Sequence, residues 1–171
     1  LISNKFAFGD FFDPKMKTEL LRMMDQEDYD IVQFEMSQMG QYIKDIEVRR
    51  SKLVLSIHEA VFASSLRRLR SERGLKVFRT LHMLSALDNE LSMCNKVDGI
   101  VCVTDTDARR FLSFNPNLNI TVINTGVDID YFSPQQTAEE TNSMIFVGYF
   151  RHYPNVDGVV HFCRHVLPNV R

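Results

Sequence analysis

VDGIVCVTDTDARRFLSFNPNLNITVINTGVD, residues Val97–Asp128, decides the fold. Ile100–Val103 is a short apolar run rich in β-branched residues, and Ile120–Ile123 is another. Between them TDARRFLSF reads as a helix, with Asp105 as its N-cap and Asp107 in its first turn, where carboxylates meet free backbone N–H groups. Strand, helix, strand in such short compass is the unit of a parallel sheet, because parallel neighbours need a crossover between them.

The same alternation extends toward the N-terminus. PKMKTELLRMMDQ spaces Met16, Leu20, Met23 and Met24 helically, with Pro14 in the first turn. YDIVQFEM is a strand over Ile31–Phe34, MGQYIKDIEVRR a weaker helix, and SKLVLSIHE a strand over Leu53–Ile57. After Gly74 a long helix follows, its apolar stripe formed by Val77, Leu81, Leu84, Leu87, Leu91 and Cys94. Met23, Met24, Met36 and Met39 read as core filler. Short strands, apolar on both faces and separated by helices, predict an α/β protein: a Rossmann-like open parallel sheet with helices on both faces.

Composition sets the outer limits. With 171 residues, 44% of them hydrophobic and 25% charged, the chain can bury a core, and disorder is excluded on composition. A formal net charge of −2 gives no field for nucleic acid. The one basic run, SLRRLRSERG, reads as a solvated or phosphate-facing helix surface. Cys94, Cys102 and Cys163 form no C-x-x-C pair, so neither a disulfide framework nor a zinc site is expected. No stretch approaches the roughly 20 apolar residues of a membrane span. Both ends of the chain read as points inside a longer polypeptide.

In open parallel sheets ligands sit at the carboxyl ends of the strands. Those ends hold Glu35 and Ser37, His58 and Glu59, Thr104 and Asp105, and Asn124 through Asp128. No G-x-G-x-x-G or P-loop follows any strand, which excludes the usual dinucleotide and ATPase signatures. His58, directly after LVLSI, is the candidate catalytic group, placed to hydrogen-bond a ligand hydroxyl; a loop histidine satisfied by backbone carbonyls is the plainer alternative. Glu59 either orders that ring, binds a ligand hydroxyl or faces solvent. Thr104, Asp105, Asn124 and Gly126 complete the cleft set. In Asn124-Thr125-Gly126, glycine supplies a positive φ and asparagine caps the turn.

Three pieces in order carry a resemblance: VDGIVCVTDTDARRFLSF, NITVINTGVDIDYFSP, and SMIFVGYFRHYPNVDGVVHFCRHVLPNV. Together they resemble the two-domain retaining glycosyltransferases of the GT-B fold, the group-1 or family-4 class. There a strand ends in a Ser-Glu-like pair, the next in an Asn-Gly-Val-Asp turn, and a linker leads to a second domain opening on Phe-Val-Gly. The matching pieces are Thr104-Asp105, Asn124 through Asp128, and Phe146-Val147-Gly148. The resemblance implies an acceptor-side domain over 1–129, a linker over 130–142, and the first strand and helix of a donor-binding domain over 143–171.

It also implies sugar transfer, with retention, from a nucleotide-sugar donor to a carbohydrate, lipid-linked or protein acceptor. No metal or cofactor is expected; the nucleotide-sugar is a substrate. Location is expected to be cytoplasmic or peripheral at a membrane. Gly148, Arg151 and Asn155 are the donor-binding candidates, since a bare glycine admits a phosphate closely. In the wider family an Arg follows this glycine and a Lys-Gly pair comes a few residues later. This chain has Tyr149 and Pro154-Asn155 instead, which leaves Arg151 and His152 as the cations at hand. A non-catalytic nucleotide- or sugar-phosphate-binding module and a flavodoxin-like interaction domain are the alternatives.

Overall fold

The computed structural model describes residues 8, 11–46, 50–71, 76–133 and 140–170. Gly74, the end of MGQYIKDIEVRR at 47–49 and most of the polar linker at 134–139 lie outside that set. The chain divides into two compact units, Leu1–Val127 and Asp128–Arg171.

In the first unit, strands β1 (Ile31–Glu35), β2 (Lys52–Ile57), β3 (Gly99–Cys102) and β4 (Ile120–Val122) form one parallel sheet in the order β1-β2-β3-β4. Helices α1 (Pro14–Gln26), α2 (Val61–Ser71), α3 (Lys76–Cys94) and α4 (Asp105–Phe114) accompany it, with a 3-10 segment over Met39–Asp45 where a weak helix was expected. This is the α/β, Rossmann-like layout read from the alternation.

Register shows why the strands stack as they do. Phe34 lies beside Leu55, Leu55 beside Ile100, and Ile100 beside Ile120, so one face carries a continuous apolar row. That row joins Phe62, Ala86, Met93 and Phe111 in the core. The two faces are unequal: on the other, Val54 and Val101 are half-buried while Ile31, Thr121 and Ile123 are exposed. Crossovers of one hand repeated in one direction deliver their connecting helices to the same side.

Local chemistry sets the element ends. Asp13 caps α1, its carboxylate accepting from the Lys15 N–H at 2.8 Å, and Pro14 occupies the first turn as expected. The buried Tyr42 hydroxyl accepts from the Asp13 N–H at 2.8 Å and donates to the Phe11 carbonyl at 3.2 Å. At the amino edge of the sheet Asp98 accepts from the Leu53 N–H at 2.9 Å, pairs with Lys52 at 3.1 Å, and its carbonyl accepts from the Asn119 side chain at 2.8 Å. One residue thus ties together the starts of β2, β3 and β4.

Several expectations are corrected. Thr104, not Asp105, caps α4: its extended backbone and its hydroxyl, 3.1 Å from the Asp107 N–H, make the cap, and Asp105 is already helical. Met36 and Met23 are exposed, and only Met24 and Met39 pack against the core. The buried side of α3 is Ser85, Ala86, Asn89, Glu90, Met93 and Cys94, displaced from the leucine stripe, with Val77 and Leu84 left exposed.

The second unit holds α5 (Tyr153–His161), continued by a π turn (Phe162–Val166) and a 3-10 turn (Leu167–Asn169). Residues 143–149, expected to open on a strand, pair with no other strand among the described residues; Ile145 is 90% exposed and Val147 88%. A strand exists only through a ladder, and no neighbour here supplies one.

Candidate functional site

The first unit gathers the predicted acceptor-side residues at one edge, where β1, β2, β3 and β4 end. β1 leaves through Met36, whose φ of 71° is left-handed, a conformation a non-glycine residue adopts at a cost of about 1–2 kcal/mol. The Met36 N–H donates to the Ser56 carbonyl at 2.9 Å, which holds this turn against β2.

His58 follows β2 directly. Its Nε2 lies 3.0 Å from Glu35 Oε2, and the two side chains are about half exposed, at 49% and 54%. The partner of the ring is therefore Glu35, a residue the sequence placed at a strand end without assigning it to the site. Its signal was the register itself: Glu35 stands beside Ser56, two residues before His58. Gln33 also donates to the Glu35 carboxylate. Hydrogen bonds from Gln33 and Ser56, then His58, hold that carboxyl below its ordinary value against a small cost of burial. With a carboxylate accepting at Nε2, the neutral ring carries its proton there and leaves Nδ1 as a lone-pair acceptor toward any ligand.

Glu59 is exposed and pairs with Arg67 at 3.0 Å, so it does not order the ring. Thr104 is engaged as the α4 cap, and its hydroxyl also lies 3.0 Å from Asp107 Oδ2. Asp105 is exposed in the first turn of that helix. Asn124 does not cap its own turn; its amide donates to the Val103 carbonyl at 3.0 Å and ties the exits of β3 and β4 together. Gly126 lacks the expected left-handed backbone, and a side chain there would meet open space.

The donor-side candidates belong to the second unit. A Cβ on Gly148 would come within 2.6 Å of the Phe146 ring, so an aromatic side chain fills the room the glycine leaves. Asn155 donates to the Tyr149 carbonyl at 3.1 Å and closes the turn that carries the exposed Arg151. His152 is the N-cap of α5 and makes no side-chain capping bond.

Under this sheet edge lies a residue that the sequence reading missed. Glu90 of α3 is 1% exposed, and its two carboxylate oxygens accept from the Val61 N–H at 3.0 Å and the Phe62 N–H at 2.9 Å. Burial pushes its carboxyl up to about 7, with nearby Asp107 adding to the rise and the two backbone bonds opposing it. A helical Glu amid leucines reads as solvent-facing, which is why it escaped notice.

Among the described residues no group of three or more His, Cys, Asp or Glu could hold a metal ion, and no helix is long and apolar enough to cross a membrane. The arrangement can orient an imidazole and a carboxylate toward a polar, hydroxyl-bearing ligand at a sheet edge. No curated protein and no solved structure matches the chain. One family model does, over residues 6–131, and those residues include all four strands, the Glu35–His58 pair and Glu90. Since that match covers well over half of the sequence, the chain belongs to Glycosyltransferase Family 4.

Proposed function

We propose that the first unit is the acceptor-side domain of a retaining, GT-B-type enzyme that moves a sugar from a nucleotide-sugar donor to a carbohydrate, lipid-linked or protein acceptor. The observation that carries this reading is the Glu35–His58 pair at the carboxyl edge of the sheet in a member of this family. In such a transfer the bond from the anomeric carbon to the diphosphate breaks and a bond to the acceptor oxygen forms on the same face. The acceptor's proton departs with the diphosphate oxygens. His58, its Nε2–H held by Glu35, presents Nδ1 to a sugar or acceptor hydroxyl and fixes its angle of approach. Asn124 and Thr104 hold the neighbouring strand exits in place.

On the donor side, Arg151 and the backbone near Gly148 and Asn155 are the groups assigned to the diphosphate, with 130–142 as the linker between domains. Cations and N–H groups aimed at a leaving diphosphate stabilise the charge that develops there. The location that goes with this reading is the cytoplasm or a membrane surface. Tyr149 and Pro154-Asn155, where the family has Arg and Lys, favour a second reading: a module that binds a nucleotide sugar without turning it over.

The test is incubation of a polypeptide that carries the first unit together with a complete donor-binding domain, with a panel of nucleotide-sugar donors and simple acceptors, following nucleoside diphosphate release and the anomeric configuration of the product; the 171-residue chain by itself is expected to transfer no sugar. The expected result is transfer with retention, reduced more than tenfold in His58→Ala at nearly unchanged Tm. Saturable binding without release supports the second reading, and a large fall in Tm with normal specific activity assigns His58 a packing role.

A further inference from the structure

Three residues, His58, Glu59 and Ala60, join the end of β2 to the start of α2. Ile57 on one side and Ala60 on the other are fully buried, while His58 and Glu59 are exposed between them. The far anchor is Glu90. Its oxygens take the first two N–H groups of α2, donors that have no partner within their own helix. Ser37, two residues after Glu35, is 1% exposed; its hydroxyl faces the same carboxyl yet finds no hydrogen bond of ordinary geometry. Glu90 therefore sits beneath both turns that carry the Glu35–His58 pair.

We propose that Glu90 is a positioning residue for this site: through the Val61 and Phe62 amides and its approach to Ser37 it sets the relation of His58 to Glu35, and a change in its charge shifts that relation. As a carboxylate, Glu90 offers one oxygen to each amide. As a neutral acid it gives up part of that acceptor capacity and needs an acceptor for its own proton, and the Ser37 hydroxyl is the group at hand. The groups facing it are Asp107 of α4, Cys102 of β3, Cys94 of α3 and Ser37, and among the described residues no cation pairs with it. Its value of about 7 places the exchange between the two states near neutral pH.

The consequence for turnover rests on the proposed function, but the geometry is testable without it. In the 15N-labelled chain, the Val61 and Phe62 amide protons are expected to titrate together with a midpoint near 7. The inflection should persist in His58→Gln, which removes the imidazole as its source, and disappear in Glu90→Gln. Asp107→Asn should lower the midpoint by removing a neighbouring negative charge, and this holds as the deciding variant if Glu90→Gln does not fold. Amides without an inflection in the wild-type chain, or an inflection that survives Glu90→Gln, overturn the proposal. If sugar transfer is found, its kcat–pH profile should flatten in Glu90→Gln at constant donor KM. If no transfer is found, the amide titration still decides the positioning role.

Discussion

Glu35 and His58 meet because two adjacent parallel strands end in register, and one carboxylate then decides which imidazole nitrogen holds the proton. Because hydrogen bonds lower the Glu35 carboxyl below its unfolded value, its contribution to stability is present above the unfolded carboxyl value and fades as pH falls through the folded one. Glu35→Gln should flatten that acid limb, read as urea midpoints between about pH 3 and 5. The effect is small, since both side chains are half exposed. Met36 gives a sharper test. At a φ of 71°, Met36→Val should cost on the order of 1–2 kcal/mol, and Met36→Gly should be neutral or stabilising, both measurable by chemical denaturation. Thr104→Ala, which removes the α4 cap, should cost about 1 kcal/mol. The sequence put that cap one residue late because Asp and Thr are both good caps; only the backbone, extended at Thr104, separates them.

Among the elements, α3 shows where sequence reading succeeds and where it stops. Its existence follows from apolar spacing, but its orientation does not. The Leu87 and Leu91 side chains pack at the margin of the core, while Ser85, Asn89 and Glu90 lie at the centre of the buried face. These polar side chains are buried because each finds a partner: Asn89 donates to the Ser85 carbonyl at 2.7 Å and accepts from Lys44 at 2.6 Å, and Glu90 caps α2. Partners contributed by distant segments leave no local signature. Glu90 also makes stability depend on pH. Its folded value of about 7 exceeds the unfolded 4.5, so its favourable contribution is complete below about 4.5 and is lost as pH rises to about 7. Wild type should therefore lose stability relative to Glu90→Gln across that window, by at most about 1.4 kcal/mol per pH unit. Close packing of the 3-10 segment against α3 yields another test. A Cβ on Gly40 would lie 2.5 Å from Met93 Sδ and 3.3 Å from Leu55, so Gly40→Ala should cost about 1–3 kcal/mol by overpacking.

At the scale of the whole molecule, the parallel sheet was legible because alternation of apolar strands with helices admits few other layouts. The strand expected at 144–147 was misread because MIFV has strand composition, whereas strand formation depends on a neighbour that composition cannot supply. The cysteines report the difference between core and surface. Cys94 and Cys102 are buried in the first unit and burial raises both thiols, Cys102 to about 11, while Cys163 is exposed in the second. A thiol reagent at neutral pH should modify Cys163 at once and the other two only on unfolding, as counted by mass spectrometry. The central claim is that sugar recognition belongs to the carboxyl edge of the sheet, around Glu35, His58, Thr104 and Asn124. Its most direct test is an amide NMR titration of the 15N-labelled chain with a panel of nucleotide sugars and free glycosides. Perturbations clustered at residues 35–37, 58–62, 104–105 and 124–126 are predicted, and shifts confined to the opposite edge, around Asp98 and Asn119, or shifts nowhere in the first unit, would contradict it.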